Sequence, residues 1–218
     1  MTSGVTAIMP SWNQGQWIRQ SLDSLVSDPA ISEILVMDRF STDNTFAIWE
    51  EYTDKVGKRL GLIQAHRSTL EAIWDGITLA KNDWLVVATT SDWFEPHAVS
   101  TLLKYAMLDP PFSFIGVNPR ACSYVGAGTI VHELDGSRRL KLPAPGPIRI
   151  DDVIGGGQNS GICLFRKSLA LMVGPMALHE DGLWYSSYLL RALTDGWTAR
   201  RIARPLINLR RHAGSISA

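Results

Sequence analysis

Apolar residues along the chain alternate between two periods, and each change of period marks an element. Val5-Thr6-Ala7-Ile8-Met9 is a short β-prone run stopped by Pro10. From Gln16, the residues Ile18, Leu22 and Leu25 recur at helical spacing and predict a helix ending near Ser27-Asp28-Pro29. Ile31 to Met37 contains a second strand, Ile34-Leu35-Val36-Met37, with Asp38 at its carboxyl end. Ile48, Trp49, Tyr52 and Val56 return to helical spacing behind the N-cap candidates Ser41-Thr42-Asp43-Asn44. Leu60-Gly61-Leu62-Ile63 predicts a weaker third strand, and Leu70, Ile73, Trp74 and Ile77 a third helix. Trp84-Leu85-Val86-Val87-Ala88 is apolar on both faces, the pattern of a parallel strand buried within a sheet. It ends in Thr89-Thr90-Ser91-Asp92, followed by Trp93 and by Pro96, which suits a helix start.

This strand–helix alternation predicts an α/β domain with a mostly parallel central sheet flanked by helices. Ligands of such sheets bind at the carboxyl ends of the strands. Here those ends carry Pro10-Ser11-Trp12, Asp38 and Ser91-Asp92. Asp92 admits two readings at this point: a carboxylate that meets a ligand, or the cap of the helix marked by Ala98, Leu102, Leu103 and Ala106. After Asp109-Pro110-Pro111, Phe112 to Val117 is strand-like, and Thr129 to Leu134 with Asp135-Gly136 predicts a hairpin. Pro143 to Pro147 is a loop between the two regions, and Gly155 to Gly161 a flexible segment that runs into Ile162-Cys163-Leu164-Phe165. His179-Glu180-Asp181 precedes a helical run with Trp184, Tyr188, Leu189 and Leu193. The final segments are Thr198 to Ile202 and Pro205 to Ile207.

A chain of 218 residues, 45% hydrophobic, is long enough for a substantial core. With 21 basic residues against 21 acidic, it lacks the basic excess of a nucleic-acid binder. Arg200, Arg201, Arg204, Arg210 and Arg211 nevertheless cluster late, which suits a local anionic or peripheral membrane contact. Cys122 and Cys163 form neither a metal spacing nor a disulfide framework, so a reducing compartment fits. With no signal-like N-terminus and no apolar run near the ~20 residues of a membrane span, the expected location is the cytoplasm, with a peripheral place at the inner membrane face as the alternative. Eight tryptophans are many for this length; most belong in the core, leaving one or two to line a cleft.

Phosphate-binding GxGxxG and GxxxxGK[ST] loops are absent, as is a GxSxG elbow. What remains is a set of carboxylates and one late histidine: Asp38, Asp92, Glu180, Asp181 and His212. Mg²⁺ or Mn²⁺ held by one or two side chains plus substrate phosphates needs no all-protein cage. Such an ion would offset charge developing on a diphosphate leaving group. A separate carboxylate could deprotonate an acceptor hydroxyl. Glu180-Asp181 also suits the start of a helix, where acidic side chains favour the dipole.

The order of these motifs resembles that of family-2 glycosyltransferases of the GT-A (Rossmann-like) fold. An ITPSYNQG-like stretch runs from Ile8 to Gly15, and a VDDGSTDNT-like stretch from Val36 to Thr45. The region of an acidic SDD-W-x-x-P motif appears as Ser91-Asp92-Trp93-Phe94-Glu95-Pro96. Phe165-Arg166-Lys167-Ser168, Glu180-Asp181 and an RxHxxS-like Arg210 to Ser215 follow in order. The resemblance implies one GT-A domain over 1–218, with 1–110 holding a nucleotide sugar and 111–218 an acceptor. It implies inverting transfer from a nucleotide-diphosphate sugar, a UDP-sugar first, to a hydroxyl of a glycan or lipid-linked acceptor. Pro10, Ser11, Trp12, Asn13, Asp38, Arg67, Ser91 and Asp92 would bind the donor. Asp92 and His212 would hold Mn²⁺ or Mg²⁺, and Asp181 would be the base, with Glu180 beside it.

Three departures stand out. Trp12 replaces the usual tyrosine, Arg39 follows Asp38 where a second acid is usual, and Thr89-Thr90-Ser91-Asp92 retains one acid of two or three. The thinned acidic motif keeps a rival reading open, a weakly active or inactive GT-A-fold protein that binds nucleotide or glycan. A sugar nucleotidyltransferase should carry a glycine-rich basic loop after strand one, which Trp12-Asn13-Gln14-Gly15 does not provide.

Overall fold

The computed structural model describes residues 4–53, 59–65, 68–107, 124–141, 145–147, 149, 151, 163–175, 184–196 and 198–212. The four apolar runs of the first half form strands β1 (Val5–Ser11), β2 (Ile31–Asp38), β3 (Arg59–Gln64) and β4 (Trp84–Val87). They lie side by side in the order β3-β2-β1-β4, all parallel, so their carboxyl ends share one edge. Helices α1 (Ile18–Val26), α2 (Thr45–Thr53) and α3 (Thr69–Leu79) connect them.

Pro10 does not stop β1; the strand continues to Ser11, and Pro10 pairs in register with Met37. The N–H of Ala88 donates to the carbonyl of Ile8, so Ile8 faces β4 in the ladder. Pro10, two residues further, faces the same side, past the last paired residue of β4. Its missing N–H therefore costs no ladder bond.

Two apolar layers cover the sheet. On one face Val5, Ala7 and Met9 of β1 pack with Ile18, Leu22 and Leu25 of α1 and with Leu102 of α4 (Ala98–Met107). On the other, Ile8, Leu35 and Met37 pack with Ile73 and Ile77 of α3. A Cβ on Gly76 would lie 2.5 Å from Ile8 Cγ2, so α3 sits on β1 at a distance that only glycine permits.

The sheet turns mixed beyond β4. Strand β9 (Cys163–Arg166) lies antiparallel between β4 and β6 (Tyr124–His132). Strand β10 (Ala199–Arg210) runs parallel to β6, with register shifts on both sides of Pro205, where no N–H is available. The short β5 (Trp93–Phe94) pairs with β10 at the far edge, and β8 (Gly146–Pro147) also pairs with β10. The predicted hairpin forms: β7 (Arg138–Lys141) returns antiparallel along β6, and Gly136 takes a φ of 83° in the turn. Helix α5 (Lys167–Val173) follows β9, and α6 (Trp184–Thr194) is the helical run read after Asp181. No helix among the described residues is long and apolar enough to cross a membrane. The strand expected over 112–117, the glycine segment from 155 to 161, and Val56 lie outside the described residues.

Candidate active site

At the carboxyl edge the last rung of the parallel sheet changes character. One rung earlier, Met9, Val36 and Leu62 belong to the apolar layer that α1 covers. Two residues on, the same face carries Ser11, Asp38 and Gln64, register partners across β1, β2 and β3. Asp38 is buried, and its carboxylate accepts from the Ser41 N–H at 2.9 Å, the Ser41 hydroxyl at 2.5 Å and the Gln64 amide at 3.2 Å. The Ser11 hydroxyl is equally buried and has no hydrogen-bond partner among the described residues. A buried polar group in that state marks a place where a ligand atom can complete the bonding.

Two loops close over this rung by clasping each other. The Asn13 N–H donates to the Ser41 hydroxyl at 2.8 Å, and the Asn13 side-chain oxygen accepts from the Thr42 N–H at 2.8 Å. The Gln14 N–H donates to Thr45 Oγ1 and the Gly15 N–H to Asp43 Oδ2, each at 2.9 Å. Asp43 also accepts from the N–H of Thr45 at the start of α2. Burial works against the Asp43 charge, but the Thr45 hydroxyl and the Gly15 and Thr45 N–H groups outweigh it, and the carboxyl sits below its ordinary range. Beside Asn13 in the same loop, Trp12 is 54% exposed, with the Arg39 guanidinium 5.4 Å from its ring centroid. Phe40, where the family motif has glycine, holds a left-handed φ of 57°. That conformation costs a non-glycine residue about 1 kcal/mol.

The second half of the edge is built by the loop after β4 and the end of β10. Asp92 is 9% exposed; its Oδ1 accepts from the backbone N–H of Arg210 at 2.9 Å, and its Oδ2 from the Thr89 hydroxyl. Burial pushes its carboxyl above the ordinary range, opposed by those two hydrogen bonds and by the His212 and Arg210 charges. The Arg210 guanidinium lies between Trp17, at 4.0 Å, and Trp93, at 4.9 Å, and donates to the Ser91 carbonyl and to the Gln20 side chain. His212 stands with its ring centroid 6.0 Å from that of Trp17. Arg211 turns away to Glu133, at 3.2 Å.

Asp92 does not cap α4. That role falls to Asp28, 71 residues before Val99, whose carboxylate accepts from the Val99 N–H at 2.8 Å and from the Ser100 N–H and hydroxyl. Pro10, Ser11, Trp12, Asn13, Asp38, Ser91, Asp92 and His212 all fall along the one edge. Arg67, Glu180 and Asp181 lie outside the described residues. Sequence reasoning missed Gln64, although it directly follows the third predicted strand, and Trp17, Trp93 and Arg210 as a stack, which no spacing reveals.

For Mn²⁺ or Mg²⁺ the described residues are a poor match. No three His, Cys, Asp or Glu side chains among them converge. Asp92 supplies one carboxylate with both oxygens already accepting, next to a guanidinium that would repel a cation.

The model of the family described as Glycosyl transferase family 2 matches residues 6–171. An uncharacterized glycosyltransferase of Escherichia coli K12, YaiP, is 26% identical over 129 residues, 59% of this chain and 32% of its own length. Glycosyltransferase GlyA of Streptococcus pneumoniae serotype 4 is 27% identical over 101 residues, 46% of this chain and 14% of its own. The chain thus spans about a third or less of the curated relatives it matches. Among solved structures, residues 1–349 of S. aureus TarS in complex with UDP-GlcNAc align over 99% of this chain and 61% of that one, with TM-score 0.75 and 13% identity. The mannosyltransferase PcManGT of Pyrobaculum calidifontis, in complex with GDP-Man and Mn²⁺, aligns over 96% of this chain and 56% of its own, with TM-score 0.68 and 15% identity. These neighbours share the GT-A fold.

Proposed function

The chain belongs to glycosyl transferase family 2, and on that premise we propose that it transfers a sugar from a nucleotide-diphosphate sugar, a UDP-sugar first, to a hydroxyl of a glycan or lipid-linked acceptor. One observation carries this reading: the apolar ladder of β1, β2 and β3 ends in the polar rung Ser11–Asp38–Gln64, with the exposed Trp12 next after Ser11. A planar base with acceptors and an N–H on its edge suits that rung, and an aromatic face suits its ring. The fold neighbour TarS is described with UDP and with UDP-GlcNAc, which supports the choice of base.

Pro10, Ser11, Trp12, Asn13, Asp38 and Arg67 would hold the nucleoside, with Ser91 and Asp92 toward the sugar diphosphate. Residues 1–110 would form the donor side and 111–218 the acceptor side. In the proposed inverting step, the acceptor oxygen forms its bond to the anomeric carbon as the bond from that carbon to the diphosphate oxygen breaks. The nucleoside diphosphate leaves with the bonding pair. The acceptor proton passes to Asp181, with Glu180 beside it. A divalent ion would supply Lewis-acid stabilisation of the leaving group in the general case; the described donor set does not fit one, and no step here depends on it.

Calorimetry with UDP and GDP, then turnover over a panel of nucleotide sugars, tests the reading. UDP should bind, and Asp181→Asn should lower kcat by roughly 10²-fold or more with UDP affinity unchanged. Intact turnover in that variant would remove Asp181 from the mechanism. The engaged state of Asp92 favours one rival, a nucleotide-binding GT-A protein without transfer, which binding without turnover of any donor would support.

A further inference from the structure

We propose that Asp92 is a latch for the end of β10, not an ion ligand. Arg210, which the latch holds at this edge with the His212 ring nearby, would then supply the positive charge for the donor's diphosphate, so that nucleotide binding needs no divalent cation. This rests on the donor reading above.

The topology sets the geometry. With the base at the ends of β1 and β2, the next position along the edge toward the sugar is the end of β4, since β4 flanks β1 on the other side. The loop after β4 is where Arg210 docks: its backbone N–H is held by Asp92, its side-chain Nε by the Ser91 carbonyl at 3.2 Å. The side chain is fixed before any ligand arrives. Two indole faces enclose it, and the Gln20 oxygen accepts from its terminal nitrogen. A guanidinium held in this way meets an anion with little further loss of side-chain entropy, and it binds phosphate oxygens well.

The same arrangement disfavours a metal. A carboxylate that binds Mn²⁺ or Mg²⁺ should present oxygens to the cleft, whereas both oxygens of Asp92 accept from the protein and the residue is 9% exposed. A cation at Asp92 would also be pressed against the Arg210 charge. The lost acids of the usual motif fit this exchange: Thr89 stands as a hydroxyl that donates to Asp92, which an acid in that place would repel. A fixed guanidinium thus takes the place of an ion.

The test uses the full chain, stripped of metal, and UDP as the probe. Calorimetry in EDTA and in Mn²⁺ should return UDP affinities that agree within about threefold. Arg210→Gln should weaken UDP at least about tenfold, a loss of about 1.4 kcal/mol, while uridine, which has no phosphates, binds as before. Arg210→Lys, which keeps the charge, should recover part of that loss. Asp92→Asn should shift UDP affinity equally in EDTA and in Mn²⁺. Thermal melts establish that each variant is folded. UDP binding confined to Mn²⁺ or Mg²⁺, an Asp92→Asn loss seen only with the ion, or an Arg210→Gln protein that binds UDP normally would each overturn the proposal and leave the donor reading standing. A folded protein that binds neither UDP nor GDP under either condition would overturn both.

Discussion

Asp43 shows how a single carboxylate can tie two loops of the candidate site together. It joins the start of α2 to the loop after β1 through Thr45 and Gly15. Because its folded-state pKa lies below the unfolded value, its stabilisation is present above about pH 4 and is lost as pH falls through the lowered pKa. Thermal melts of the parent and of Asp43→Asn should therefore differ near neutral pH and converge in acid; parallel curves at every pH would remove Asp43 from the clasp. Gly15 offers a second check. A Cβ there would come within 1.8 Å of the Asn44 side-chain oxygen and 3.1 Å of Asp43 Oδ2, so Gly15→Ala should displace Asn44, loosen the Gly15–Asp43 hydrogen bond and weaken UDP modestly, with little change in the core. Asp38 and Asp92 were legible as candidates because each ends an apolar run. Their distant partners were not, because Gln64 and Arg210 reach them from elements 26 and 118 residues away.

Helix faces were readable from periodicity, and Ile18, Leu22 and Leu25 of α1 and Ile73 and Ile77 of α3 are all buried as their spacing requires. The caps were not equally readable. Ser68 and Glu71 form a local capping box for α3, a three-residue signal that lies in the sequence itself. The start of α4 is capped instead by Asp28, from the turn after α1. Asp28 is buried at 1% exposure, and its loss would strand three N–H groups, those of Ala30, Val99 and Ser100, and the Ser100 hydroxyl. Asp28→Ala should therefore cost about 2–3 kcal/mol, at or above the top of the range for local caps. Urea unfolding measures it, and a cost below about 0.5 kcal/mol would mean that water replaces the carboxylate.

Across the whole molecule, the strand that joins the halves is β9. It fills the position beside β4, and its Leu164 and Phe165 enter opposite apolar layers. A chain cut after residue 110 would leave one side of β4 unpaired along Trp84 to Val86, together with the apolar surface that β9 covers. The isolated 1–110 segment should then aggregate or remain unfolded by circular dichroism and size-exclusion chromatography. A monomeric fragment with the parent's helical signal would show that the parallel half needs no support from the rest.

The alternation of apolar periods determined, unaided, that this is an α/β chain with its acidic residues at strand ends. Those signals are local, and burial of a strand or a helix face writes them directly into residue order. The motif order was enough to place the chain with the family-2 glycosyltransferases. Only the tertiary structure decided what Asp92 does. Its hydrogen bonds go to Thr89 and to the backbone of Arg210, and Arg210 is held by Trp17 and Gln20 at the start of α1 and by Trp93 of β5, two separate parts of the chain. Contacts of that kind depend on which strands become neighbours, and β10 reaches this edge through a pairing with β5 that no period or motif encodes.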